Sequence, residues 1–383
     1  MTMGPYEAKK IGNRKVVSYV GNKIFPKIDD VTLKEFNQQT VEAHFYELGK
    51  SDYFYHLHKI DSGIFLACVE YFKRIGAEWC NLPLTTLMIS SPGEVYAGKN
   101  LDYTTDALPV KLKWFDNQRE IFLSESSQFY LELQLVVEKI DRVFSIYNSF
   151  RKEKTDYCHL SEFQHVEFEG KIKLDENVKI AKDLLKYVTD YLLKNNRDNL
   201  SFFLEDNDLV AMKTAMADSS FKEMTLKEAL ALLYKDTGDE EYKEFSLKNF
   251  GSWEEVRVTN IAGANVILKE FPMLEIPFYH NELKKDENGV TLTQNADIIL
   301  NGFRETIGAG QRIKDIEILK NKAKVFNLPL DDYEPYLKMR ELENYQETSG
   351  FGMGWQRYVQ WLLKLPYIWE ATYVPRSHLI PKP

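Results

Sequence analysis

The chain is 383 residues long, with 49 Lys and Arg against 58 Asp and Glu and a net charge of −9. That length can bury a substantial core, and the acidic balance argues against a protein that coats nucleic acid through a broad basic face. No apolar run approaches the roughly 18–20 residues of a membrane span, and the N-terminus lacks the apolar stretch of a signal peptide. The three cysteines, Cys68, Cys80 and Cys158, have the spacing of neither a disulfide framework nor a zinc site. The expectation is a reduced, cytoplasmic globular protein.

In chain order, residues 1–30 read as a basic, irregular arm, and 31–57 carry a weak helical pattern. Over 61–75, Ile64, Phe65, Cys68, Val69 and Phe72 fall on one helical face. Gly76 stops that helix, and a strand ending near Pro83 follows. Segments 110–115 and 119–124 predict a hairpin around Asp116-Asn117. A helix over 127–139 leads to a strand at 142–147, and FQHVEFEG at 163–170 alternates as another strand. Residues 176–195 predict a long helix, and Thr225 with Glu228 has the capping-box spacing before the next. An extended pair over 275–282 and 290–300 turns at Glu287-Asn288-Gly289, a helix covers 315–326, and the last helix runs 354–364. No linker or repeat divides the chain. The fold class is therefore α+β, with antiparallel sheet dominant.

Three segments hold residues suited to chemistry. Phe150-Arg151-Lys152-Glu153 and His159 to Phe163 lie where one strand ends and the next begins. An Arg fork grips phosphate or carboxylate, a His adds charge beside a polyphosphate, and a Phe can stack on a purine. Asp297 and Glu305 are hard oxygen donors of the kind Mg²⁺ takes while it bridges ATP phosphates, and Arg312 follows a run of small residues. In Gly350-Phe-Gly-Met-Gly354, followed by Arg357, alternating glycines leave room beside a strand for a flat ligand. The dinucleotide reading of that glycine pattern fails, because no βαβ unit surrounds it. Taken singly, each segment is also compatible with ordinary turns and solvated charges.

Together and in this order, the segments resemble motif 2, the acidic/Arg element and motif 3 of class II aminoacyl-tRNA synthetases of the aspartyl/asparaginyl branch. LSESSQFYLEL (123–133), 142–163, 296–315 and 350–377 carry the likeness, and 61–90, with Pro83, resembles a diverged motif 1, the dimer-forming element. The resemblance implies an antiparallel sheet flanked by helices, forming a single catalytic domain over 61–383. It implies ATP and Mg²⁺ as cofactors, an amino-acid substrate and a homodimer. Residue by residue, it implies that Arg151 binds the α-phosphate and stabilises charge there. Glu153 lies near the adenine amino group, Phe163 stacks on adenine, Arg357 covers the other face, and His159 meets the terminal phosphates. Asp297 and Glu305 hold Mg²⁺, Gln128 holds the substrate α-amino group, and Arg312 reads its side-chain oxygen.

The departures shape the functional expectation. Leu131-Glu132 stands where aspartyl enzymes carry a Lys, Cys158 where an Arg precedes the His, Gln356 where an acid is usual, and ENYQET before motif 3. Glu94 is the candidate for the acid that follows motif 1. The 60 residues ahead of the core read as arm and helix, without the OB-fold that family synthetases use to bind the anticodon. The expected activity is therefore an asparagine synthetase-like ligase: aspartate or an analogue is activated as the adenylate and passed to ammonia or a small amine, with no tRNA. The alternatives are an asparaginyl-type enzyme that charges a tRNA or carrier protein, and a non-catalytic sensor or binding module.

Overall fold

The computed structural model describes the backbone of residues 6–11, 14–19 and 22–23, and residues 37–90, 108–116, 119–153, 155, 158–365 and 367–379. Glu94 lies outside them. Near the N-terminus β1 (Tyr6–Ile11), β2 (Arg14–Tyr19) and β3 (Asn22–Lys23) form an antiparallel sheet where the sequence reads as an irregular arm. These runs mix Tyr, Ile and Val with basic residues and are too short for periodicity to mark them.

The long helix Asp52–Arg74 begins nine residues before the expected start at 61 and crosses the expected boundary at residue 60. Its N-cap Ser51 accepts a hydrogen bond from the Tyr53 N–H at 3.1 Å. Gly63 lies inside this helix as a contact point. A Cβ there would fall 2.6 Å from Asn196 Oδ1 and 2.7 Å from Leu192 Cδ2, so its absence lets the helix Leu174–Asn195 approach closely. Ile64, Cys68 and Phe72 are buried as expected, whereas Phe65 is 48% exposed. The face toward the core is narrower than the periodicity suggested.

Beyond this helix come β4 (Glu78–Trp79), β5 (Thr85–Thr86), β6 (Lys111–Lys113) and β7 (Glu120–Leu123), the last two being the expected hairpin. The helix expected over 127–139 is shorter, Gln128–Gln134, and Lys139 adopts a positive φ of 67° at the turn beyond it. Then follow β8 (Arg142–Phe150), β9 (Glu162–Gly170), β10 (Phe221–Thr225) and β11 (Asn265–Lys269). Next are the β12 (Glu282–Lys285) and β13 (Thr291–Thr293) pair, β14 (Asn295–Ile299), β15 (Glu305–Gln311) and β16 (Ser349–Gly354). The capping box is present: the Glu228 N–H donates to Thr225 Oγ1 at 3.2 Å and the Thr225 N–H to Glu228 Oε2 at 2.7 Å. The extended run expected over 275–282 is mostly a turn, and its strand starts only at Glu282.

Among the described residues the main sheet has eight strands, in the order β10-β11-β14-β15-β16-β9-β8-β4. Its interior is antiparallel and its two edge pairs, β10·β11 and β4·β8, are parallel. Period-two alternation gives the sheet two unlike faces. Val166, Phe168, Ile298, Ile307, Ala309, Phe351 and Met353 point into one core with the helices Asp52–Arg74, Leu174–Asn195 and Trp355–Leu362. His165, Glu167, Glu169, Asp297 and the glycines of β15 and β16 occupy the other face. No helix among the described residues is long and apolar enough to cross a membrane.

The helix Asp52–Arg74 is tied to the C-terminal segments by Asp61, which accepts hydrogen bonds from Trp355 Nε1 at 2.7 Å and from the Tyr373 hydroxyl. Burial raises the Asp61 carboxyl from 3.8 to about 6, more than these two bonds lower it. A raised acid pKa means that the folded state binds the extra proton. Its stabilising contribution is full below about pH 4 and is lost as pH rises through 6. Asp61→Asn should therefore remove a pH dependence confined to that window. Urea unfolding at pH 4.5 and 7.5 should show the variant gaining relative to wild type at the higher pH, by an amount on the order of 1–3 kcal/mol.

Candidate functional site

The β8–β9 hairpin sets one end of the site. Arg151 leaves the end of β8 and its N–H donates to the Ser161 carbonyl at 2.9 Å, just beyond the Phe150–Glu162 pair that ends the ladder. The Arg151 guanidinium lies 5.3 Å from the Phe163 ring centroid and 3.9 Å from Glu153 Oε1, and its buried Nε has no hydrogen-bond partner. Arg151, Glu153, His159, Phe163, Glu305 and Arg357, the six residues expected to bind nucleotide, all line one cleft. Cys158 and Gln356 line it too. Gln356 Oε1 accepts the Gln164 N–H at 2.9 Å and Cys158 Sγ lies 3.2 Å from His159 Nδ1, so both departures are built into the cleft wall. His165 sits beneath, bonded to Ser149 Oγ at 2.7 Å, and burial together with Arg151 and Arg357 lowers it to about 3, so it is neutral.

The cleft continues along the sheet over a trough of glycines. Register pairs Asp297 with Gly308, Gly308 with Gly352, and Gly352 with Glu167. In the next row Asn295 pairs with Gly310, Gly310 with Gly350, and Gly350 with Glu169. The missing side chains make the floor on which the carboxylates converge. A Cβ at Gly350 would fall 1.9 Å from Glu169 Oε2 and 2.4 Å from the Phe168 carbonyl oxygen. Gly350→Ala should therefore destabilise the fold by about 1–3 kcal/mol through overpacking. A chemical denaturation curve with the wild-type slope and no midpoint shift would refute this crowding.

Asp297 and Glu305, expected to hold a divalent cation, flank the same space. A Cβ at Gly308 would meet Glu305 Oε1 at 2.9 Å and Asp297 Oδ1 at 3.6 Å. Glu255 joins them from the helix Ser252–Ala262, accepting the Glu305 N–H at 3.1 Å. The Asp297 carboxyl is pushed well above the usual range by burial, then by the charges of Glu305 and Glu255. Arg357 answers this cluster from the opposite side, donating to the Glu305 carbonyl at 2.9 Å. Asp297 and Glu305 are the residues that would hold a divalent cation beside this Arg-lined cleft, as hard oxygen donors of the kind Mg²⁺ takes.

At the far end of the trough, the two residues expected to read the amino acid are placed differently from each other. Gln128 is buried at the start of its helix and gives Nε2 to the Phe168 carbonyl at 3.4 Å. Arg312 is 1% exposed and gives Nε at 3.0 Å and Nη2 at 2.8 Å to the two oxygens of Glu169. Its charge is already balanced within the protein. Burial pushes the Glu169 carboxyl upward, against the pull of Arg312. Glu167 accepts from Ser126 Oγ at 2.7 Å and from the Tyr147 hydroxyl. Behind them a second buried pair joins Arg340 Nη2 to Glu132 Oε1 at 2.6 Å, with the Tyr336 and Tyr345 hydroxyls donating to the same carboxylate. Glu132 and Tyr345 are among the departures noted in the sequence, and the structure links them to each other.

The sequence reading named neither Glu167, Glu169, Glu255 nor Arg340. The alternation of FQHVEFEG could have shown that Phe163, His165, Glu167 and Glu169 share one face. Nothing local marks Glu255 or Arg340.

A protein-family model described as tRNA synthetases class II (D, K and N) matches residues 100–378. An asparagine–tRNA ligase of Thermococcus kodakarensis is 31% identical over 270 residues, covering 70% of this chain and 59% of the relative. One from Idiomarina loihiensis is 27% identical over 331 residues, covering 83% and 69%. The chain thus spans about three fifths of the length of the first of these relatives. An asparaginyl-tRNA synthetase from Pyrococcus horikoshii, crystallised with asparaginyl-adenylate, superposes with a TM-score of 0.76 at 24% identity, covering 94% of this chain and 77% of that one. The Entamoeba histolytica asparaginyl-tRNA synthetase gives 0.72 at 21% identity, covering 91% and 72%. These superpositions establish the shared fold.

Proposed function

Because this chain belongs to the class II (D, K and N) tRNA synthetase family, we propose that it is an ATP-dependent, AMP-forming ligase. It activates aspartate or a close analogue as the acyl-adenylate and passes the acyl group to ammonia or a small amine. The observation that carries this reading is the convergence of Arg151, Glu153, His159, Phe163, Glu305 and Arg357 on one cleft, with Asp297 beside Glu305 over Gly308.

The chemistry follows from that geometry. Phe163 and Arg357 bracket the base, and Glu153 reads its amino group. The substrate carboxylate attacks the α-phosphorus, the bond to pyrophosphate breaks, and Arg151 neutralises the charge that grows on the α-phosphate oxygens. A divalent ion held by Asp297 and Glu305 would supply positive charge to the leaving phosphates. No protein nucleophile is needed, so catalysis is positioning plus charge stabilisation. The resulting mixed anhydride is open to attack by any amine, and a net charge of −9 does not favour a polyanionic acceptor. The names of the relatives favour a second reading in which the acceptor is a tRNA. Exposed Tyr55, Phe65, Leu66 and Trp79, on the helix Asp52–Arg74 and the adjacent edge strand, support a homodimer.

ATP–pyrophosphate exchange over the common amino acids, without tRNA, tests the ligase reading. Exchange with aspartate or asparagine, followed by amide formation and AMP release on adding ammonium, is the expected result. Exchange with no amide on adding ammonium, but an aminoacyl ester on adding tRNA, would replace it with the tRNA reading, and no exchange with any amino acid would overturn adenylate formation. Arg151→Ala should lower the exchange rate by about 10²–10³-fold or more, and wild-type exchange in that variant would remove Arg151 from the reaction.

A further inference from the structure

His378 and the segment that carries it have no part in the roles described so far. After the short helical turn Ile368–Ala371, the chain returns to the open end of the β8–β9 hairpin. There the Ser161 N–H donates to the Arg376 carbonyl at 3.0 Å, and Glu162 and Arg376 form an isolated antiparallel bridge. Two residues further on, His378 Nδ1 accepts the Thr155 N–H at 3.0 Å. The Leu379 N–H donates to Ser377 Oγ at 3.1 Å, a local turn that fixes the backbone around the imidazole. Leu379 itself packs against the apolar cluster that includes Cys158 and Leu160. The segment therefore ties down the connection between β8 and β9 at Ser161 and again at Thr155.

That connection holds groups expected to grip nucleotide. Arg151 and Glu153 precede Thr155, and His159 and Phe163 follow it; these four line the cleft, whereas His378 does not. The base of the connection is held by its own bonds: the Lys152 N–H donates to the Leu108 carbonyl at 2.7 Å, and Ser161 Oγ to the Glu153 carbonyl at 2.9 Å. Thr155 lies beyond these ties. It is buried and its hydroxyl oxygen has no hydrogen-bond partner, so its side chain does not anchor it. Among the described residues, the bond to His378 is what holds it. A backbone N–H can only donate, so Nδ1 must offer its lone pair. Without that acceptor a buried N–H would stand unpaired, a state that drives the backbone to move until the group finds a partner.

We propose that His378 is a positioning residue for the nucleotide: by accepting the Thr155 N–H, it holds the β8–β9 connection in the shape that sets Glu153 and His159 against ATP. It does not touch the nucleotide and takes no part in making or breaking bonds. This rests on the adenylate-forming reading above and adds to it a point of control outside the cleft. The bond asks only for an acceptor where Nδ1 stands. Asparagine Oδ1 lies the same number of bonds from the backbone and also accepts, so His378→Asn conserves the function and His378→Leu removes it. His378 is exposed, so neither change disturbs the core.

Calorimetric titration with Mg²⁺ and a non-hydrolysable ATP analogue reads the effect directly. A net hydrogen bond is worth roughly tenfold in an equilibrium, so His378→Leu should weaken nucleotide binding by about tenfold. His378→Asn should restore most of that loss. In ATP–pyrophosphate exchange the ATP KM should follow the same order, while the amino-acid KM stays close to wild type. Peptides spanning 150–162 should take up deuterium faster in the Leu variant and at the wild-type rate in the Asn variant. Wild-type nucleotide affinity in the Leu variant would overturn the proposal. Equal losses in the Leu and Asn variants would also overturn it, because they would mark packing rather than an acceptor. A wild type that binds nucleotide but exchanges with no amino acid would sink the ligase reading alone, and the affinities and deuterium uptake would still judge His378. A wild type that binds no nucleotide would overturn both.

Discussion

Burying Glu169 and Arg312 side by side strips two charges of water, and the cost is recovered only if their hydrogen-bond geometry is close to ideal. The fork meets that condition by placing Nε and Nη2 against both carboxylate oxygens. Much of the surrounding structure follows from keeping it intact. Gly350 leaves room for the carboxylate and Gly310 for the imidazole of His280, which pairs opposite the arginine, and Tyr279 offers its ring to the guanidinium. Removing either charge would strand the other, with losses of about 3–5 kcal/mol typical of such breaks.

The same sheet face treats its other end in the opposite way. Around Phe163 the arginines are not matched in buried forks. Arg151 keeps a buried Nε without a partner, and Arg357 faces a carboxylate cluster whose members repel one another. One end of the trough therefore holds its arginine in a buried fork. The other holds charges arranged for a polyanion with its cation. A strand period of two produces both ends from one surface, because every second residue of β9, β15 and β16 faces the trough while its neighbours build the core.

What could be read from the sequence divides along the same line. Arg151, Phe163, Glu305 and Arg357 stand in short segments whose order resembles a known family, and the structure brings all four into one cleft. Arg312 was legible as a residue but not as half of an ion pair, because Glu169 lies 143 positions earlier and only the β9–β16–β15 pairing brings the two together. Glu132 and Arg340 are hidden for the same reason. The stop at Gly76 was legible, whereas the helix start was not: the helix begins at Asp52, and Gly63 sits inside it because a partner helix needs its space. Phe65 was assigned to the core by a periodicity that cannot tell a buried stripe from an apolar surface.

The position of β16 carries a consequence for biosynthesis. It lies between β15 and β9, so the strands made early (β4, β8, β9) and those made later (β10, β11, β14, β15) form two separate curtains until residues 349–354 are threaded between them. Most of the chain must leave the ribosome before the central hydrogen bonds can form, a topology dominated by distant contacts and correspondingly slow to close. In the interval both curtains present unpaired strand edges, the feature that makes nascent chains adhere to one another. The last strand also supplies Gly350, Gly352 and Gly354. A chain interrupted before it would lack both the seam of its sheet and the floor of its pocket.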